Sequence, residues 1–215
     1  MYTRPDASDY IDIKGIQLVR RDSCPLVKDV SMAALNAIMY EKSPDKALAA
    51  VRDMLAKMLR GEFPMDKFVL SKTLRSGYKD GGDKLPHVAV AKKIRERRGF
   101  AVSNGERVQY VFVENLDEPD AMQADRVEDP AYVEAQGLGL DMLYYLRRQL
   151  CPALLCVFEV VLDDPEAAIF GHPDLAPMID AMERKVADAL VVAKRRRKNR
   201  ANNQNEITRW LKPLS

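Results

Sequence analysis

Histidine and paired cysteine are nearly missing from this sequence. Its 215 residues include two histidines and three cysteines, Cys24, Cys151 and Cys156. The cysteines are odd in number and lack C-x-x-C spacing, so neither a zinc site nor a disulfide framework is indicated. His87 and His172 have no cysteine or carboxylate at ligand spacing. We therefore expect reduced thiols, as in intracellular proteins, and no metal site within this chain.

Long apolar runs are absent as well. None approaches the ~18 residues that a membrane-spanning helix requires. The first twelve residues, MYTRPDASDYID, lack the apolar segment of a secretory signal. No membrane partner is expected. Apolar content of 47% and charged content of 31% are ordinary for a globular protein, and the length suits one domain with an appended tail.

No catalytic group of residues is evident. Glu128-Asp129 and Asp163-Asp164 are paired carboxylates, but each pair adjoins a proline in an acidic stretch. A two-metal site needs carboxylates on rigid elements that hold ions about 3.5–4 Å apart. Ser71 and Cys24 have no base nearby in sequence. We therefore predict no catalytic residue and no cofactor in this chain.

Charge is strongly segregated although the net charge is only +2. Residues 71–110 contain ten Lys/Arg and four Asp/Glu, residues 111–141 contain one and nine, and residues 184–215 contain ten and two. Such segregation is typical of a protein with one surface that faces nucleic acid. The alternative is that these charges cover ordinary solvated faces of helices and loops.

The apolar spacing predicts a mainly α fold with a small β element, of the α+β class. Two helices are expected from Leu26 to Tyr40 and from Ser43-Pro44 to Gly61, with Ser23 capping the first and Pro25 starting it. Strands are expected at 67–74 and 108–113, and they are expected to pair. Pro86 opens a basic third helix whose apolar side is Val88, Ala91 and Ile94.

The second half of the chain is also mainly helical. Residues 114–130 should form an acidic, mobile loop. A helix from Asp141 to Phe158 should be interrupted at Pro152, with Tyr144 and Tyr145 as core aromatics rather than base-stacking groups. A last helix is expected at 174–198. The basic cluster Lys194–Arg200 suits a nuclear-import signal, a nucleic-acid-binding tail, or a helix end at which cations favour the dipole.

Six short motifs occur one after another along the chain. They are KGIQLVRRDSCPLV at 14–27, SKTL at 71–74, LPHVAVA at 85–91, GERVQYV at 105–111, RVEDP at 126–130 and DMLYYLRRQL at 141–150. In this order and at these distances they resemble the thumb domain of family B DNA polymerases of the delta type, including those of large DNA viruses. The resemblance covers roughly residues 9–162. The Gly- and Lys-rich stretch 77–84 departs from the tighter loop that is usual there.

The resemblance implies that the chain has three parts and that the palm and fingers of a polymerase lie on another polypeptide. Residues 1–13 correspond to a leader that links palm to thumb, 14–162 to a thumb-like helical domain, and 163–215 to a basic helical extension. The chain would thus begin near a natural domain edge. The palm motifs that resemble Y-G-D-T-D and S-L-Y-P-S do not occur, nor do the exonuclease carboxylates or the finger helix. A partner with palm and fingers, and the Mg²⁺ of the complete polymerase, are implied.

The resemblance and the charge pattern nominate two sets of residues. The candidates for binding DNA are, by resemblance, Lys72, His87, Arg95, Arg107 and Arg126, and, by charge pattern, Lys92, Lys93, Arg97 and Arg98. The candidates for a palm–thumb junction are Lys14, Gly15, Arg20, Arg21 and Asp22. There, the two arginines either contact DNA or pair with Asp22 and Asp29 to fix a hinge. His87 is expected to have a structural role or one near DNA.

By resemblance, the function expected is to grip primer–template duplex DNA as the thumb of a polymerase, in a split or partial chain. Contacts to the sugar–phosphate backbone would position DNA without reading its sequence. An alternative is a stand-alone DNA-binding accessory protein that kept the thumb surface, and a third is a remnant fragment. The setting implied is intracellular, in the nucleus or at a viral replication site.

Overall fold

The computed structural model describes residues 23–78, 82–99 and 101–210. Its described helices are α1 (Pro25–Met39), α2 (Pro44–Leu59), α3 (Pro86–Arg98), α4 (Pro130–Gln136), α5 (Met142–Tyr144), α6 (Cys151–Phe158), α7 (Pro165–Phe170) and α8 (Ala176–Trp210). Short 3₁₀ turns occur at Met65–Phe68, Gly82–Lys84 and Gln123–Arg126, and a π-helical segment, Tyr145–Leu150, joins α5 to α6. The strands are β1 (Leu70–Thr73), β2 (Arg107–Phe112) and β3 (Val127–Glu128). The predicted α+β class is confirmed.

Helices α1 and α2 pack against each other, as their apolar spacing predicts. The Ser43 hydroxyl caps α2 by accepting a hydrogen bond from the Lys46 backbone N–H at 3.3 Å. The prediction that Ser23 caps α1 is wrong. Cys24 is the N-cap residue, without a side-chain cap, and its own N–H donates to Gln149 Oε1 at 3.4 Å. Pro25 starts the helix, where its missing N–H costs nothing.

One apolar core joins the helices to the sheet. It contains Leu26 and Val30 of α1, Leu55 of α2, Phe68, and Leu154 of α6, all fully or almost fully buried. Residues beyond the expected domain edge at 162 belong to the same core, namely Ile169, Phe170, Leu175 and Ile179. The start of the C-terminal segment therefore packs with the residues that precede it.

The sheet has the order β1-β2-β3 and is antiparallel throughout. Leu70 pairs with Tyr110, and Phe112 pairs with Val127. The predicted pairing of the two longer β-rich segments is confirmed. β1 is shorter than expected because Met65–Phe68 forms a 3₁₀ turn that buries the Phe68 ring in the core. The predicted acidic loop also contributes more regular structure than expected, since β3 lies within it.

Phe112 links the sheet to the helical core. Its backbone N–H donates to the Tyr145 hydroxyl at 2.9 Å, and its carbonyl accepts from the Asp141 N–H at 3.0 Å. Its ring stacks on Tyr144 with centroids 3.5 Å apart. Tyr145 is fully buried and burial raises the pKa of its phenol, so the hydroxyl stays protonated. The prediction that both tyrosines are core aromatics is confirmed.

Pro152 interrupts the long helix as predicted. The π-helical segment ends one residue before Cys151-Pro152, and α6 then begins with the proline in its first turn. A proline in a helix lacks the N–H that would donate a hydrogen bond to the carbonyl one turn earlier, so the regular pattern of backbone hydrogen bonds cannot continue there. The π-helical segment uses hydrogen bonds between residues five positions apart, and it leaves Leu146 and Leu150 in the core.

The bond between Tyr145 and Phe112 yields a stability prediction. We expect Tyr145→Phe to lower the free energy of unfolding by about 1–3 kcal/mol, because it leaves the buried Phe112 N–H without an acceptor. Urea unfolding followed by circular dichroism measures this change. Tyr40→Phe is the matched control, since Tyr40 is 58% exposed, and it should stay within about 0.5 kcal/mol of the parent. Equal effects of the two substitutions would contradict the assignment.

Candidate nucleic-acid interface

A basic cleft of about 360 Å³ lies between β1, β2 and the start of α3. Three cationic residues line it, Lys72, Arg75 and Arg107, and its described wall contains no carboxylate. The rest of the wall is Ser71, Thr73, Tyr78, Leu85 and His87. Such a lining attracts anions, since Lys72 and Arg75 place positive charge in the wall.

Tyr78 and His87 form the inner wall of the cleft. The Tyr78 hydroxyl lies 2.9 Å from His87 Nε2 and accepts a hydrogen bond from the Arg75 backbone N–H, also at 2.9 Å. His87 is only 2% exposed. Its burial, and next the charge of Lys72, lower the pKa of the imidazole, so it is neutral at pH 7. His87 therefore anchors Tyr78, and through it the Arg75 backbone, rather than presenting a charge to solvent.

Arg107 is held in place by strand β1. Its guanidinium donates to the Ser71 hydroxyl at 2.8 and 3.0 Å and to the Ser71 carbonyl at 2.6 Å. Lys72, next along β1, is exposed and has no ion pair with another described residue. The antiparallel pairing of β1 with β2 thus brings residues 34 to 36 positions apart into one wall, with Lys72 opposite Val108 and Thr73 opposite Arg107.

The basic residues of α3 fall into two groups. Lys92 and Arg95 are exposed, lie three positions apart on one face of the helix, and have no ion pair with a described residue. Lys93 and Arg97 instead converge on Glu128 of β3. The apolar side of α3 partly matches its prediction, because Ala91 is buried and Ile94 packs half-buried against the core, but His87 and Val90 are buried in place of Val88.

Glu128 is a buried carboxylate that holds α3 to the sheet. Lys93 Nζ reaches it at 2.7 Å, and the Arg97 guanidinium binds it through two bonds of 2.7 and 3.0 Å. Arg97 also lies over the Tyr132 ring, 3.5 Å from its centroid. Burial alone would raise the pKa of Glu128, but the bonds from Arg97 and Lys93 together outweigh it and lower the pKa. Glu128 is therefore ionised at neutral pH.

Two more predicted DNA-binding cations are engaged within the chain. Arg98 pairs with Asp129 at 2.8 Å. Arg126 pairs with the buried Asp141, whose other oxygen caps α5 by accepting from the Tyr144 N–H at 2.9 Å. The structure thus brings Lys72, His87 and Arg107 together in the cleft and leaves Lys92 and Arg95 on the open face of α3. Lys93, Arg97, Arg98 and Arg126 lie in intramolecular ion pairs.

Sequence reasoning missed Arg75 and Tyr78. Both follow β1, and Tyr78 lies within the Gly- and Lys-rich stretch 77–84. A tyrosine among glycines and lysines was the available signal.

The junction candidates Lys14, Gly15, Arg20, Arg21 and Asp22 lie outside the described residues. Asp29, a proposed partner for those arginines, accepts a 2.6 Å bond from Lys67.

The acidic segment makes further contacts with α8. Glu114, Asp117 and Asp120 pair with Lys185, Arg196 and Arg197 respectively.

Among the described residues, no three His, Cys, Asp or Glu side chains converge as metal ligands would. No helix among the described residues combines the length and apolar character required to cross a membrane.

The chain belongs to DNA polymerase family B. The model of that family matches residues 1–161, which confirms the resemblance drawn from the motifs.

Named relatives include polymerases of viruses and of animals. The chain is 40% identical over 208 residues to a DNA polymerase of Paramecium bursaria Chlorella virus NY2A, an alignment that covers 97% of this chain and 23% of that protein. It is 35% identical over 196 residues to the DNA polymerase delta catalytic subunit of Bos taurus, covering 90% and 18%. The family B DNA polymerase of Pyrobaculum calidifontis has a similar structure, with a TM-score of 0.55 at 28% identity over 66% of this chain and 18% of the other. The chain spans about a fifth of these relatives.

The Glu128 cluster yields a prediction with a defined pH dependence. We expect Glu128→Gln to lower the free energy of unfolding at pH 7 by about 1–3 kcal/mol. That range lies between the cost of breaking a buried pair and that of a surface pair, because the two cations are about one-third exposed. Urea unfolding of both proteins measures the difference.

The pH dependence follows from the lowered pKa. A carboxyl group whose pKa is depressed in the folded state stabilises the fold above its unfolded pKa, near 4.5, and loses that effect as the pH falls through the folded value. The difference in the free energy of unfolding between the parent and Glu128→Gln should therefore be constant from pH 7 to about pH 5. It should shrink in more acidic buffer. Glu62→Gln, which breaks an exposed pair with Arg60, is the control and should change stability far less. A difference that grew on acidification would refute the assignment.

Proposed function

We propose that this chain is the thumb region of a family B DNA polymerase and that it holds primer–template duplex DNA. The observation that carries the proposal is the basic cleft, which is lined by Lys72, Arg75 and Arg107. Membership in the family supplies the expected ligand. The exposed cations Lys92 and Arg95 on α3 extend the basic surface.

The chemistry of the cleft suits phosphate groups. Lysine and arginine neutralise phosphates and release the counterions condensed on the duplex, so binding weakens steeply with salt. Ser71 and Thr73 add hydroxyl groups that hydrogen-bond to phosphate oxygens without reading bases. The His87–Tyr78 pair contributes by fixing the loop that carries Arg75. A surface of this kind grips any sequence, as a replicative enzyme requires.

Nucleotide addition is proposed to need palm and fingers polypeptide, whether on the same chain or on a separate one. The described residues offer no group of metal ligands, so we assign Mg²⁺ chemistry to the palm. In this proposal the thumb acts by position: it holds the duplex while the palm performs the transfer. The setting would be the replication site of a virus or the nucleus, in keeping with the relatives.

The test is binding of the purified chain to a fluorescent primer–template duplex, measured by anisotropy across a salt series. Lys72→Ala/Arg75→Ala should weaken binding and make the plot of log affinity against log salt shallower by about 2, since each lost phosphate contact removes about 0.9. Lys28→Ala/Arg148→Ala removes the same charge from exposed positions outside the cleft and should leave the slope nearly unchanged.

Two results would count against this assignment. Absence of duplex binding by the parent chain at low salt would refute the gripping function. Equal slopes for the cleft variant and its control would show that the cleft is not the contact. Addition of a polypeptide with the palm and fingers tests the remaining step, because tighter binding and nucleotide addition only in the mixture are expected. Duplex binding that the added polypeptide does not change would favour a stand-alone accessory protein.

A further inference from the structure

Helix α8 carries a dense basic segment that the cleft does not explain. The segment runs from Lys194 to Arg200, and its six cations are all exposed, namely Lys194, Arg195, Arg196, Arg197, Lys198 and Arg200. The helix does not end there, since α8 continues to Trp210. The charges thus lie in the interior of a helix.

That position removes one simple explanation for the cluster. Cations stabilise a helix C-terminus through the dipole, but the effect is confined to the last turn. Arg200 lies ten residues before the end of α8, which is nearly three turns. Like charges four positions apart, such as Lys194 and Lys198, destabilise a helix by about 0.2–0.5 kcal/mol a pair. The helix itself therefore gains nothing from the cluster.

One side of the segment has partners within the chain. Arg196 and Arg197 pair with Asp117 and Asp120 at 3.1 and 2.7 Å. Ala193 is buried on the same side, three and four positions before them. Farther up the helix, Lys185 pairs with Glu114 at 2.8 Å. The acidic segment after β2 thus neutralises this side, which we call the inner side of α8.

The opposite side is left without such partners. At 100° a residue, Arg195 and Lys198 project away from the inner side, whereas Lys194 lies between the two sides and interacts with Asp120. Neither Arg195 nor Lys198 has an ion pair with a described residue. Val191, one turn earlier on this outer side, is 67% exposed. The carboxylate of Asp188 lies two turns before Arg195, so the outer side of the cluster keeps a net positive charge.

We propose that the outer side of α8 is a second contact surface for the phosphate backbone of duplex DNA. The inference rests on the proposed function in that duplex DNA is the ligand, but it does not require the cleft. From Arg195 to Lys198 the helix rises about 4.5 Å, so their two cations can contact neighbouring phosphates of one strand, which follow one another every 3.4 Å along the axis of the duplex.

The composition of α8 favours DNA over an acidic protein segment. Protein interfaces are anchored by buried aromatic or large apolar side chains among the charges. No aromatic residue occurs between Ala176 and Asn202, and Val191 is a short aliphatic side chain. Phosphate contacts need only well-placed cations, and the outer side supplies them.

A matched pair of variants tests the proposal in the full chain. Arg195→Ala/Lys198→Ala removes two outer cations, and Arg196→Ala/Arg197→Ala removes two inner cations, so both change the net charge equally. Binding to the primer–template duplex is followed by anisotropy across a salt series. We expect the outer variant to weaken binding and reduce the salt slope by about 2. The inner variant should reduce the slope much less, because Asp117 and Asp120 already neutralise its arginines.

Equal slopes for the outer and inner variants would overturn the proposal, since only net charge would then matter. A cleft variant, Lys72→Ala/Arg75→Ala, is measured alongside. If it reduces the slope and the outer variant does not, the α8 inference fails while the proposed function stands. If the parent chain does not bind duplex, both fail. Loss of binding to poly-glutamate, but not to duplex, in the outer variant would replace DNA with an acidic protein partner.

Discussion

The fold depends on how the backbone of Phe112 is satisfied. Beyond the end of β1, that edge of β2 has an isolated bridge between Val113 and Leu140 instead of a strand partner, and an unpaired buried backbone group is costly. The Tyr145 hydroxyl and the Asp141 N–H take the place of that partner. The sheet, which carries the cleft, is thereby joined to the helical core. Because Asp141 also binds Arg126 and caps α5, a few residues connect sheet, acidic segment and helix.

Ion pairs with carboxylates of the same chain determine which cations remain available to a ligand. Glu128 and Asp129 engage three basic residues of α3, and Glu114, Asp117 and Asp120 engage three of α8. The same segment therefore neutralises one side of each basic helix. What remains is a set of cations on the opposite sides and in the cleft. The segregation of charge along the sequence thus serves internal pairing as well as an external surface.

Sequence reasoning was most successful where the signal is local. Pro25, Ser43-Pro44 and Pro86 mark helix starts, and the alternation around Tyr110 marks a strand, because these depend on neighbouring residues alone. The pairing of β1 with β2 also followed from two β-rich runs. The ion pairs of Lys93, Arg97, Arg98 and Arg126 did not, since their partners lie 15 to 35 positions away. Composition gives the number of cations but not which of them have a partner.

The contrast between Lys92–Arg95 and Lys93–Arg97 shows why that difference matters for function. All four residues lie on α3 and are basic, yet a shift of one or two positions along the helix separates the cations that face solvent from those bound to Glu128. On α8 a shift of one position likewise separates Arg195 from Arg196, although the Asp117 carboxylate that pairs with Arg196 is exposed. A phosphate competes poorly for an arginine already held by a buried carboxylate, because the carboxylate would lose its partner. Pairing within the chain, rather than charge density, therefore sets where the proposed duplex contacts lie.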